Sequence, residues 1–137
     1  MVDWLGIVKV DRSPDWLRQA ERDLQAAENS AAAGYHEWAA FGAQQSAEKA
    51  VKALVASLHG AERGPSITGL LEQLRASIEF PEAVLEAGRD LDQVYVTARY
   101  PNGFASGAPA DYFTPKTSER LINHARTVFE FCRGQIH

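Results

Sequence analysis

The stretch Tyr35-His36-Glu37-Trp38-Ala39-Ala40-Phe41-Gly42-Ala43-Gln44-Gln45-Ser46-Ala47-Glu48-Lys49-Ala50-Val51-Lys52-Ala53-Leu54-Val55-Ala56-Ser57-Leu58 decides the fold. Alanine recurs at 39, 40, 43, 47, 50, 53 and 56. It has the best helix propensity of any residue, and its small side chain lets a neighbouring helix approach closely. Ala40, Ala43, Ala47, Val51, Leu54 and Leu58 fall on one stripe at helical spacing, so a long helix from about 35 to 58 is expected. Gln45, Glu48, Lys49 and Lys52 gather on another face. Glu48 and Lys52 suit an i,i+4 ion pair. A polar floor beneath a pocket is the alternative use of that row.

The same punctuation recurs outward from this segment. Ser13-Pro14 reads as a helix start, a capping residue followed by proline in the first turn. Trp16, Leu17, Ala20, Leu24, Ala27 and Ala31 follow at helical steps, and Gly34 is a suitable stop. Ser66 suits the cap of a short third helix through Leu70, Leu71 and Leu74. Pro81 opens a fourth, with Val84, Leu85, Gly88, Leu91, Val94 and Tyr95, expected to end near Arg99 because Pro101 disfavours helix before it. From Tyr100 to Thr114 two prolines and two glycines argue against regular helix, while four aromatic side chains argue against a floppy linker. Thr114-Pro115 starts a last helix, with Leu121, Ile122, Ala125, Val128, Phe129 and Cys132 inward and Gly134 as its stop. No segment alternates with period two. The expectation is an all-α, up-and-down antiparallel four-helix bundle with one additional short helix, in a single domain over 1–137 and a core from about 13 to 134.

The chain has 137 residues, 45% of them hydrophobic and 23% charged, which is an ordinary globular composition. No stretch approaches the roughly 20 apolar residues of a membrane span. Met1–Val10 carries an acid at position 3 and no basic region, unlike an export signal. Cys132 is alone, which excludes a disulfide scaffold and suits a packed thiol. A cytoplasmic protein without membrane association is expected. The formal charge of −4 argues against tight non-specific duplex binding. Ten of the 14 cations are arginine, the better residue for phosphate or carboxylate recognition.

Few side chains point to chemistry. His36, His59, His124 and His137 are scattered, and neither HExxH nor a cysteine pair occurs, so no metal site is expected. Walker and GxGxxG cradles and a GxSxG elbow are missing from the sequence, and no cofactor is implied. Arg120 and His124 stand four apart and can face one another, either as a phosphate-handling pair or as a solvated helix face. Arg133 and His137 repeat that spacing at the chain end. Arg99, where the fourth helix gives way to Tyr100-Pro101, can cap the last carbonyls or keep a fork free for phosphate.

The blocks 16–24 (WLRQAERDL), 44–54 (QQSAEKAVKAL) and 97–101 (TARYP) occur in the order expected of a HEPN domain. The chain resembles the small free-standing prokaryotic branch, often encoded beside a minimal nucleotidyltransferase, from about Asp15 to Arg133. The resemblance implies a helical bundle that pairs as a homodimer and associates with nucleotide or RNA, with a minimal nucleotidyltransferase as partner in a toxin–antitoxin-like or nucleotidyl-transfer complex. Many HEPN ribonucleases carry an arginine, four to six intervening residues, then a histidine. Here Arg120 and His124 are separated by three, which favours a non-catalytic binding subunit over a metal-independent ribonuclease using that pair. Relatives often have a histidine where this chain has Ser66. The binding residues expected are Lys49, Lys52, Arg99 and Tyr100 lining a cleft, with Tyr100 or Phe104 stacking on a base. A structural dimeric bundle without ligand is the remaining alternative.

Overall fold

A computed structural model describes residues 10–136. The reading of the first nine residues, and the pairing of Arg133 with His137, lie outside the described residues. Among the described residues seven helices follow in order: α1 (Ser13–Ala32), α2 (His36–Ser57), α3 (Ile67–Leu74), α4 (Glu82–Asp92), α5 (Val94–Thr97), α6 (Pro109–Tyr112) and α7 (Pro115–Gln135). A 3-10 turn, Pro101–Gly103, lies between α5 and α6. No strand occurs among the described residues.

The architecture is the expected all-α bundle. The long α2 packs most extensively against α1 and α7, and α4 closes the other side of α7. Ala39, Ala40, Ala43, Ala47, Ala50 and Val51 are fully buried, so the alanine-rich helix is the centre of the molecule. Close approach is visible at Gly42, where a side-chain carbon would sit 3.1 Å from the Ala27 Cβ of α1. Ser46 reaches across the same contact and donates to the Ala20 carbonyl at 2.7 Å. The buried apolar side chains form one cluster contributed by α1, α2, α3, α4, α5 and α7. No helix among the described residues is long and apolar enough to cross a membrane.

Most boundaries follow the local chemistry. Gly34 ends α1 with φ +90°, a conformation that favours glycine. Ser66 accepts the Gly69 amide at 3.0 Å and Thr114 accepts the Thr117 amide at 3.2 Å, so both expected caps form. At Ser13 the start is right but the capping is not. Ser13 is the first helical residue and is buried, with Arg12 before it and no side-chain cap.

Four other expectations need correction. The fourth helix is not continuous to Arg99. It tightens at Gln93, whose amide bonds to the Asp90 carbonyl in an i,i−3 step, and Thr97 Oγ1 takes the Gln93 carbonyl. Leu58 does not join the buried stripe of α2. It is 47% exposed, because the chain turns there through His59 at φ +60°, with the Gly60 amide returning to the Val55 carbonyl. The loop 100–114 holds one helical turn, α6, because Pro109 stands at its first position where no amide is needed. Helix α7 runs through Gly134 to Gln135; one glycine near a helix end costs only about 1 kcal/mol.

Candidate functional site

Arg99 lies two residues past α5, and its guanidinium is enclosed by aromatic rings. Its Cζ stands 4.3 Å from the centroid of Phe41 on α2, 4.7 Å from Tyr95 and 5.1 Å from Tyr100. The Nε–H donates to the Tyr95 carbonyl at 3.0 Å. Both roles open to Arg99 in the sequence therefore have a physical basis. One nitrogen caps a carbonyl of its own helix, and no carboxylate among the described residues pairs with the guanidinium. A cation held over ring faces keeps its in-plane donors available, and the packing limits the rotamer freedom lost on binding.

The rings continue as a path along the surface. Phe41 meets Tyr95 at 6.2 Å and Trp38 at 6.3 Å, the latter edge-on at 80°. Trp38 is 53% exposed and Tyr100 is 49% exposed. Phe41 and Trp38 were invisible as site residues in the sequence, because α2 reads as a core helix and nothing local links it to Arg99. Tyr95 carried a signal that could have been used, since it lies four residues before Arg99 at the end of the same helical run.

A hollow of about 220 Å³ beside the cage is lined by Pro65, Ser66, Asp92 and Tyr95. Its floor is already satisfied. Asp92 accepts the Ile67 amide at 2.8 Å and the Thr68 amide at 2.9 Å, so the protein's own carboxylate occupies the start of α3. The amides at the start of α3 are thus already partnered within the protein.

The two lysines expected to line the same cleft do not belong to it. Lys49 donates to Asp23 of α1 at 2.7 Å and to Gln45 at 3.0 Å. Lys52 lies 3.8 Å from Glu48, with its ammonium 5.5 Å from the Trp16 ring. Both sit two to three turns along α2 from Phe41, and both charges are neutralised by a neighbour. The physical reason is packing. The polar face of α2 is pressed against α1, so buried charges there need internal partners. Glu48 is 6% exposed, and burial pushes its carboxyl above the ordinary range despite Lys52 and Lys49. Phe104 is also committed elsewhere. Its ring stacks on Tyr112 at 4.1 Å, and the Tyr112 hydroxyl donates to the Ser106 carbonyl, which folds the loop upon itself.

Arg120 and His124 are brought together by a third residue. Asp90 of α4 accepts Arg120 Nε at 2.9 Å, and His124 Nε2 lies 2.9 Å from the same oxygen. The Arg120 Nη2 stands 3.5 Å from the other oxygen. Asp90 lies far from the pair in sequence, and only the packing of α4 on α7 places it there. Burial pushes the Cys132 thiol up to about 12, so it is an inert core group. Among the described residues no cluster of histidine, cysteine and carboxylate side chains is arranged to hold a metal.

Residues 13–135 match the family model for the HEPN domain. The chain belongs to the HEPN family. Among solved structures, this HEPN chain is similar to TT1696 from Thermus thermophilus, with 34% identity and a TM-score of 0.90 over 93% of this chain and 100% of that one. It is 38% identical to ST0689, an archaeal HEPN homologue, with a TM-score of 0.80 and the same coverage. An HEPN domain protein from Thermotoga maritima, tm0613, is 30% identical, with a TM-score of 0.73 over 88% of this chain and 95% of that one. No curated protein gives a significant match.

Proposed function

We propose that this HEPN chain is a non-catalytic binding subunit that takes nucleotide or RNA phosphate at Arg99, with Tyr100 beside it. The observation that carries the reading is the guanidinium without a carboxylate partner among the described residues, enclosed by Phe41, Tyr95 and Tyr100. Delocalised charge on a planar fork suits phosphate oxygens, and the surrounding rings suit a base. We further propose that the chain works as a homodimer and joins a minimal nucleotidyltransferase in a toxin–antitoxin-like or nucleotidyl-transfer complex. That partnership rests on the family branch its sequence blocks resemble.

A second reading has one observation in its favour. Asp90 holds His124 and Arg120 within hydrogen-bond distance of one carboxylate, an arrangement in which a histidine can act as base beside a charge-stabilising arginine. The same clamp ties both groups into an α4–α7 bridge, and the three-residue spacing differs from that of the ribonuclease branch. The non-catalytic reading is preferred on those two grounds. A structural dimeric bundle without ligand is the outcome if neither holds.

Isothermal titration of the purified chain with ATP and with short RNA separates these readings. Binding that falls at least tenfold in Arg99→Ala, with the RNA recovered intact, supports the binding subunit. RNA cleavage that disappears in His124→Ala supports the ribonuclease. No heat with any ligand, together with no retained partner on pull-down, leaves the structural bundle.

A further inference from the structure

The chain holds three asparagines, Asn29, Asn102 and Asn123. Asn29 lies inside α1, followed by Ser30, and Asn123 inside α7, followed by His124. In a helix the following amide is committed to a carbonyl four residues back, which keeps it off the asparagine side chain. Asn102 differs in three respects. It is followed by Gly103, whose backbone nitrogen has no side chain to shield it. It is exposed, as are Pro101 and Gly103 on either side. It sits at the middle of a single 3-10 turn, Pro101–Gly103, flanked by extended backbone at Tyr100 and Phe104. The hold on the Gly103 amide is weak. It reaches the Tyr100 carbonyl at 3.4 Å, against 3.0 Å for the next amide, from Phe104 to the Pro101 carbonyl.

We propose that Asn102-Gly103 is a site of spontaneous deamidation whose isoaspartate product unlocks the turn that holds Tyr100 beside Arg99. Asparagine is among the thermally labile residues. The Gly103 nitrogen, once it has lost its proton, attacks Asn102 Cγ. An N–Cγ bond forms, the Cγ–Nδ2 bond breaks, and ammonia leaves carrying that proton, which gives a cyclic imide. Water then opens the ring. Attack at Cγ yields aspartate. Attack at the main-chain carbonyl yields isoaspartate, in which the chain runs through Cβ. One water enters and one ammonia leaves, so no oxidant, reductant or cofactor takes part.

The two products act differently. Aspartate keeps the backbone as it was and adds one negative charge to a chain already at −4. Isoaspartate adds the same charge and also inserts a carbon into the main chain, for which this turn has no slack. A side-chain carbon on Gly103 would stand 3.1 Å from Thr97 Cγ2 and 3.4 Å from Thr97 Cα, so the backbone there already lies against α5. Thr97 is itself held, because its hydroxyl donates to the Gln93 carbonyl at 2.9 Å. The displaced turn gives up the Gly103 bond to Tyr100, the residue whose ring stands 5.1 Å from Arg99 Cζ. The glycine that permits the close packing is thus also the residue that permits the attack. The modification needs no ligand, and it stands independently of what Arg99 binds.

The test is to incubate the purified full chain at mildly alkaline pH and follow each asparagine by peptide mass spectrometry, with Asn29 and Asn123 as internal references. Asn102 is expected to convert to aspartate and isoaspartate, faster as pH rises, while Asn29 and Asn123 stay intact. Asn102→Gln should abolish conversion at that position, because the longer side chain does not close the same ring. Hydrogen exchange then reads the consequence. In the isoaspartate fraction the Gly103 and Phe104 amides should exchange faster than in fresh protein, with the centres of α2 and α7 unchanged. Asn102→Asp, which carries the charge without the extra carbon, should match fresh protein. Conversion at Asn102 no faster than at Asn29 or Asn123 overturns the site. Identical exchange in the fresh and isoaspartate fractions overturns the unlocking. Equal acceleration in Asn102→Asp and in the isoaspartate fraction also overturns it, because charge alone would then be the cause.

Discussion

At Arg99 one side chain meets two demands. Its Nε closes a carbonyl of the fourth helical run, and its plane rests among three rings, so charge is held at the surface at little entropic cost. Glu48 is the opposite case, a charge drawn inward. Its carboxyl is raised mainly by burial, and Lys52 at 3.8 Å offsets this only in part. The folded state therefore holds the Glu48 proton to higher pH than the unfolded chain does. Stability from this group is fully present below the ordinary carboxylate value and is lost as pH rises through the raised one. Urea denaturation of wild type and Glu48→Gln should show the wild-type advantage shrinking as pH rises above the ordinary carboxylate value. An advantage that grows with pH would mean that the Lys52 pairing outweighs burial. The i,i+4 pair was legible in the sequence. The burial that reverses its consequence was not, because it depends on α1 lying over that face.

The elements were legible where their own ends carry the signal. Ser66, Thr114 and Gly34 each do locally what their residue type favours. The elements were misread where a distant or competing group decides. Thr97 and Asp90 together tighten the chain at Gln93, and a continuous apolar period through Val94 and Tyr95 gives no hint of it. Asp92 ties two elements, accepting two amides of α3 from the end of α4. Asp92→Ala removes that clasp and should cost about 1–3 kcal/mol, the range for losing a cap and a charged hydrogen-bond acceptor. Native-state hydrogen exchange should localise the loss, with α3 amides exchanging faster and the centres of α2 and α7 unchanged. Uniform acceleration across all helices would show that α3 and the bundle open as one unit.

For the whole molecule, an alanine-rich helix at the centre explains both the fold and the placement of the site. Small residues let α1 and α7 close on α2, so its larger side chains at Trp38 and Phe41 are left to reach outward at one end, where the fourth run delivers Arg99. The bundle could be read from periodicity, and the family from three sequence blocks. The candidate site was half legible. Arg99 and Tyr100 announce themselves at a helix end before a proline, whereas Lys49 and Lys52 looked equally available and are consumed by Asp23 and Glu48. Only the tertiary contact distinguishes a free cation from a paired one. The most direct measurement is nitrogen-15 NMR of the arginine side chains during titration with a single-stranded oligonucleotide. The Arg99 Nε–Hε resonance is expected to shift and the Arg120 resonance to stay in place. A titration that moves Arg120 and leaves Arg99 untouched, or that moves neither, would contradict the account.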